Sequence, residues 1–134
     1  MIRALGLAAV LAWPIAAGAE GPISTAMAFD AATRGRTFYY TRDGQPYGAE
    51  QYLPGQRVVW AFTGDDCQRG YWFENAGAIC FVYDDAPDAP QCWTFRQTGA
   101  GLEGKVVGDN ETSPLIARQS SPEPMACMGP DVGV

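Results

Sequence analysis

Tyr71-Trp72-Phe73-Glu74-Asn75-Ala76-Gly77-Ala78-Ile79-Cys80-Phe81-Val82-Tyr83 is the stretch on which the fold turns. Two runs of aromatic and β-branched residues flank Asn75-Ala76-Gly77, whose residue types favour a turn, so the stretch reads as a β-hairpin. Residues 84–90, rich in Asp and Pro, form a second break, and Cys92-Trp93-Thr94-Phe95-Arg96 then reads as a third strand. Side chains alternate along a strand. With the hairpins centred on Gly77 and on Pro87, the side chains of Tyr71, Phe73, Ile79, Phe81, Trp93 and Phe95 share one face. Trp72, Cys80, Val82, Cys92, Thr94 and Arg96 occupy the other. Cys80 and Cys92 then share a face on neighbouring strands, and they are expected to pair as a cross-strand disulfide.

The same pattern continues on both sides of this segment. Towards the N-terminus, residues 57–62, 47–53 and 37–41 are strands separated by a polar loop at 63–68, by Pro54-Gly55 and by Asp43-Gly44. Towards the C-terminus, weaker strands run over 102–107 and 115–119. Residues 23–34 read as one short helix, with Ser24 or Thr25 able to cap it and Gly35 placed to end it. The expectation is a mainly β fold: an antiparallel meander of about eight strands, closed as a small barrel or packed as a sandwich, with one short N-terminal helix. From about residue 120 the chain is rich in Pro and Gly and should lack regular structure.

The first nineteen residues read differently. Arg3 precedes an apolar run over residues 4–13, Pro14 interrupts it, and Ala17-Gly18-Ala19 supplies the small-x-small pattern of a signal-peptidase site. The run is too short to span a bilayer, which takes about 20 residues. Residues 1–19 are therefore expected to be a signal peptide. Residues 20–134, or 134 − 19 = 115 residues, would form a single periplasmic or secreted domain. Without Arg3 that domain carries 8 basic and 15 acidic residues, a net charge of −7. Such a charge repels nucleic acid and anionic lipid surfaces, so neither is an expected partner.

An even number of cysteines in an exported chain reads as disulfides. A zinc site would need closely spaced ligand pairs, and the spacings of 13, 12 and 35 offer none. Three pairings are open to four cysteines. The strand register favours Cys80–Cys92, which leaves Cys67–Cys127 to pin the tail. No metal and no cofactor are expected.

The chain has no histidine. That excludes histidine-dependent nucleophile systems and histidine-ligated metals, and oxidised cysteines remove the thiolate. Chemistry would have to run on carboxylates, with Glu50 and Glu74 as the strand candidates. Asp65, Asp66, Asp84, Asp85 and Asp88 gather in loops at one end, but without a calcium-loop spacing, and Asp is common in solvated turns. No catalytic motif is present, so the expectation is a protein that is not an enzyme.

The positive signal is aromatic. Fifteen of the sixteen Trp, Tyr and Phe residues lie beyond residue 19. A core accounts for most of them, and the rest fit a cup for a small apolar ligand, centred on Tyr71, Trp72, Phe81 and Trp93. Two other readings stay open: an interaction or inhibitor module of the cell envelope using the acidic end, and a carboxylate-dependent hydrolase.

Tyr47-Gly48-Ala49-Glu50-Gln51-Tyr52-Leu53-Pro54, Trp60-Ala61-Phe62, Gly70-Tyr71-Trp72, Ile79-Cys80-Phe81 and Cys92-Trp93 together resemble small exported alphaproteobacterial proteins grouped as a domain of unknown function. The resemblance spans roughly residues 35–96. It implies a β-rich fold and a periplasmic location, and brings no catalytic residues. Gly70-x-Trp72 with Gly77 is also similar to the Gly-x-Trp strand of lipocalin and avidin-like barrels, an analogy of architecture.

Overall fold

The computed structural model describes residues 19–127. The expected signal peptide, apart from Ala19, lies outside the described residues. The elements in chain order are β1 (Gly21–Ile23), α1 (Ala26–Thr33), β2 (Thr37–Arg42), β3 (Gln45–Leu53), β4 (Arg57–Phe62), β5 (Gln68–Asn75), β6 (Ala78–Tyr83), β7 (Gln91–Thr98), β8 (Gly101–Val106) and β9 (Leu115–Ser121). Strands β2 to β9 pair antiparallel in chain order, and β9 returns to pair with β2. The fold is a closed eight-stranded up-and-down barrel, with β1 as an extra strand. Closure removes the exposed edges that an open sheet would present.

Two-residue turns set the register. Asp43-Gly44 and Ala76-Gly77 all have positive φ, at 50° and 77° and at 51° and 85°. These are the left-handed turns whose twist matches that of the flanking strands. Because Ala76-Gly77 occupies two positions, Asn75 pairs with Ala78 and Trp72 with Phe81. A hairpin centred on Gly77 alone would have shifted β5 by one residue. The expected shared face is therefore corrected: Ile79, Phe81, Trp93 and Phe95 point inward, but Trp72 joins them while Tyr71 and Phe73 point outward. Exposure agrees, with Tyr71 49% exposed and Trp72 1%.

The helix is shorter than expected and closes one end of the barrel. Thr25 caps it by accepting a hydrogen bond from the Ala28 amide (3.1 Å), and Gly35, at φ 79°, turns the chain away after it. Phe29 drops from α1 into the barrel with no solvent exposure. Its ring lies 4.8 Å from Phe95, 5.0 Å from Trp72 and 5.5 Å from Tyr52, centroid to centroid. Residues 21–23, read only in part as helix from the sequence, instead form β1. This strand pairs with Phe95 to Gln97 of β7, beyond the point where β6 leaves that edge.

Both disulfides, Cys80–Cys92 and Cys67–Cys127, are present. The first lies on the outer wall between β6 and β7. The second ties the segment after β9 to the β4–β5 loop, and that segment is further held by Thr37 Oγ1 donating to the Glu123 carbonyl (2.8 Å). Two disulfides are consistent with an oxidising compartment. Alternation thus separates the ends. Turns β3–β4, β5–β6 and β7–β8 lie with α1 at the plugged end, and connections β2–β3, β4–β5, β6–β7 and β8–β9 lie at the other.

Candidate ligand-binding site

The end opposite α1 is open, and a cavity enters the barrel there. Its volume is about 80 Å³, and it opens to solvent at the mouth. Since one water needs roughly 10–15 Å³, the cavity has room for several waters or for a small organic molecule that reaches into the mouth.

Strands β3 and β4 build its most aromatic side. Tyr47, Trp60 and Phe62 form a cluster with centroid separations of 6.0, 5.5 and 5.3 Å. Gly48 makes this packing possible, because a Cβ there would sit 2.5 Å from the Trp60 ring. Gly104 plays the same part for Phe95, whose ring would lie 2.9 Å from an added Cβ. Phe81 and Tyr83 from β6, with Trp93 from β7, complete the aromatic lining.

One carboxyl stands among these rings. Glu50, on β3, is 3% exposed. The Tyr83 hydroxyl donates to its carboxyl at 3.1 Å from both Oε1 and Oε2. The Tyr40 and Tyr52 hydroxyls form a separate pair at 2.8 Å. Burial pushes the Glu50 carboxyl well above the usual carboxylate range, and the Tyr83 hydrogen bond offsets only part of that. Burial likewise raises the hydroxyls of Tyr40, Tyr52 and Tyr83. The wall is therefore polar but uncharged: Glu50 keeps its proton well beyond the pH at which a solvated glutamate ionises. Among the described residues, no Lys or Arg lines the cavity.

The rim has the opposite character. The β2–β3 turn carries Asp43, and the β4–β5 loop carries Asp65 and Asp66. Asp84, Asp85 and Asp88 lie between β6 and β7, and Asp109 and Glu111 between β8 and β9. None of the four connections contains Lys or Arg. The Thr112 hydroxyl, then the Thr112 and Glu111 amides, hold Asp109 down at about 2. Phe62, Val106 and Val107 add exposed apolar surface to the same lip.

Of the four ring residues singled out from the sequence, the structure brings Phe81 and Trp93 into the cavity lining. Trp72 is inward but lies under Phe29 at the plugged end, and Tyr71 is on the outer wall, so the cup is not centred on those four. Glu50 and Glu74 share no cleft: Glu74 is exposed and accepts a hydrogen bond from the Gly77 amide (2.7 Å) at the plugged end. Asp65, Asp66, Asp84 and Asp85 flank an outer groove. Among the described residues no group of three or more acidic or cysteine side chains is placed to hold a metal ion. Tyr47, Trp60, Phe62 and Tyr83 were not singled out as ligand residues. The signal for Glu50 was in the sequence: Gly48, Glu50 and Tyr52 alternate onto one face of β3, and the glutamate shares that face with a core tyrosine.

No protein-family model, curated protein or solved structure matches this chain.

Proposed function

We propose that this protein is an exported, non-enzymatic binder of a small ligand with an apolar or aromatic body, held in the open mouth of the barrel. The observation that carries this reading is the contrast between the ends. One is filled by Phe29, whereas the other keeps an open, ring-lined cavity of about 80 Å³. Sites for small molecules are concave, mostly apolar, and equipped with a few polar groups that orient the occupant, and barrel mouths are among their usual places. Glu50 with Tyr83 and the Tyr40–Tyr52 pair are such groups. A facing pair of carboxyls, which hydrolysis on this chain would require, has no counterpart in the lining.

Titration with 2-phenylethanol, followed by tryptophan emission, tests the binding. Trp60 and Trp93 line the cavity and should give a saturable response. Native mass spectrometry on protein exported by its own leader should detect a retained small molecule. A linear, non-saturating response with no retained species would remove the reading. Intact mass tests export: the mature chain should begin at Glu20, and a chain that keeps residues 1–19 would overturn that part.

A further inference from the structure

We infer that the occupant of this cavity is a small organic cation, an ammonium group on an apolar body, with its charge set against Glu50 between the aromatic rings. This rests on the reading of the barrel mouth as a ligand site and adds the ligand's chemical class.

Three independent observations converge. First, Glu50 is a carboxyl at 3% exposure that lines the cavity, and its hydrogen-bond partner is one phenol. A buried acid is costly to ionise unless a counter-charge arrives, and no Lys or Arg of the lining supplies one. Second, Tyr47, Trp60 and Phe62 bring three aromatic rings together at the mouth. Ring faces attract cations, and sites built of several rings are a recurrent way to hold ammonium groups. Tyr47 already does so at the rim, where the Arg42 guanidinium lies 4.5 Å from its centroid. Third, the four connections around the mouth carry eight acidic residues and no Lys or Arg. Even with Arg42 beside Tyr47, this rim is predominantly negative, and such a rim concentrates cations at the entrance.

The proton balance follows. The titratable groups around Glu50 are Tyr40 from β2, Tyr52 from β3 and Tyr83 from β6, all held neutral by burial. None of them can take up a proton. When the ammonium enters, the protonated Glu50 carboxyl gives its proton to solvent and becomes the carboxylate that faces the cation. Binding therefore releases one proton, and affinity rises by up to about tenfold per pH unit while free Glu50 remains protonated.

The decisive experiment is calorimetric titration of the mature chain with three probes of similar shape: 2-phenylethylammonium, 2-phenylethanol and 3-phenylpropanoate. Buffers of different ionisation enthalpy count the protons. The ammonium should bind at least tenfold more tightly than the alcohol and release about one proton, and the propanoate should bind weakest. Glu50→Gln should abolish the preference for the ammonium over the alcohol, and with it the release of the proton. Equal or tighter binding of the alcohol, or a preference that survives Glu50→Gln, overturns the cationic class and leaves the cavity standing as a neutral-ligand site. Binding of none of the three removes the ligand site itself. Should Glu50→Gln not fold, proton release by the native chain decides, and its absence overturns the inference.

Discussion

At the end plugged by α1, Phe29 stands edge-on to Tyr52 and Trp72 and tilted against Phe95, and the rings fill the barrel. At the open end, Tyr47, Trp60 and Phe62 pack against one another along one side and leave the middle vacant. The same strands pass through both ends, so strand composition does not make the difference. It comes from what the chain places over each mouth: a capped helix with a buried ring at one, and short acidic connections at the other. Rings that meet across a barrel contribute to stability, whereas rings that meet along one wall leave room for something else.

Breaking the plug should have the largest effect. Phe29→Ala removes a fully buried ring and leaves a cavity among several aromatic neighbours, at a cost of about 3–5 kcal/mol in urea or thermal unfolding. Trp93→Ala, at the half-buried wall of the open mouth, should cost clearly less. Equal losses at the two positions would erase the distinction between a structural and a functional end.

The disulfides sharpen it next. Cys67–Cys127 closes a separation of 60 residues and Cys80–Cys92 one of 12. If loop-closure entropy dominates, replacing both cysteines of the first by serine costs about 4 kcal/mol, and of the second about 3. Unfolding of the two double variants by denaturant checks the order. A reversed order would mean that the wall bridge between β6 and β7 stabilises the native barrel directly.

A smaller effect, confined in pH, is expected at Glu50. Its carboxyl titrates higher in the folded chain than in the unfolded one, because burial disfavours its charge. Its contribution is complete at pH values below the ordinary glutamate range and is lost as pH rises towards the folded value. Each unit of that interval is worth about 1.4 kcal/mol. Glu50→Gln should therefore gain melting temperature relative to the native chain between pH 4 and pH 8, with little difference at pH 4. A constant offset across that range would mean that Glu50 is not held protonated. Val107→Ser, on the exposed lip, should change stability by no more than about 0.5 kcal/mol. A larger loss would assign the lip to the core rather than to the mouth.

Much of this molecule is local, and what is local was legible in the chain. Asp43-Gly44 turned where its residue types require, Thr25 capped the helix, and Cys80 met Cys92. The hairpin at Ala76-Gly77 marks the boundary of that legibility. Whether a turn spends one residue or two at its tip is a small difference in backbone conformation, yet it exchanges Tyr71 for Trp72 between wall and interior. Strand β1 was missed for another reason: three residues including a proline carry no pattern of their own, and they pair with β7 only because β6 leaves part of its edge vacant.

The alternation of rings, the absence of histidine, the four cysteines and the run of turns determined by themselves that this is a β meander without histidine chemistry. Only the tertiary structure decided between barrel and sandwich, because that depends on whether β9 reaches β2, a contact between segments more than seventy residues apart. It alone also put Glu50 beside Tyr83 and decided which rings surround empty space. Sequence order specifies which face a side chain takes, but a cavity is defined by what fails to fill it, and that is known only once every wall is in place.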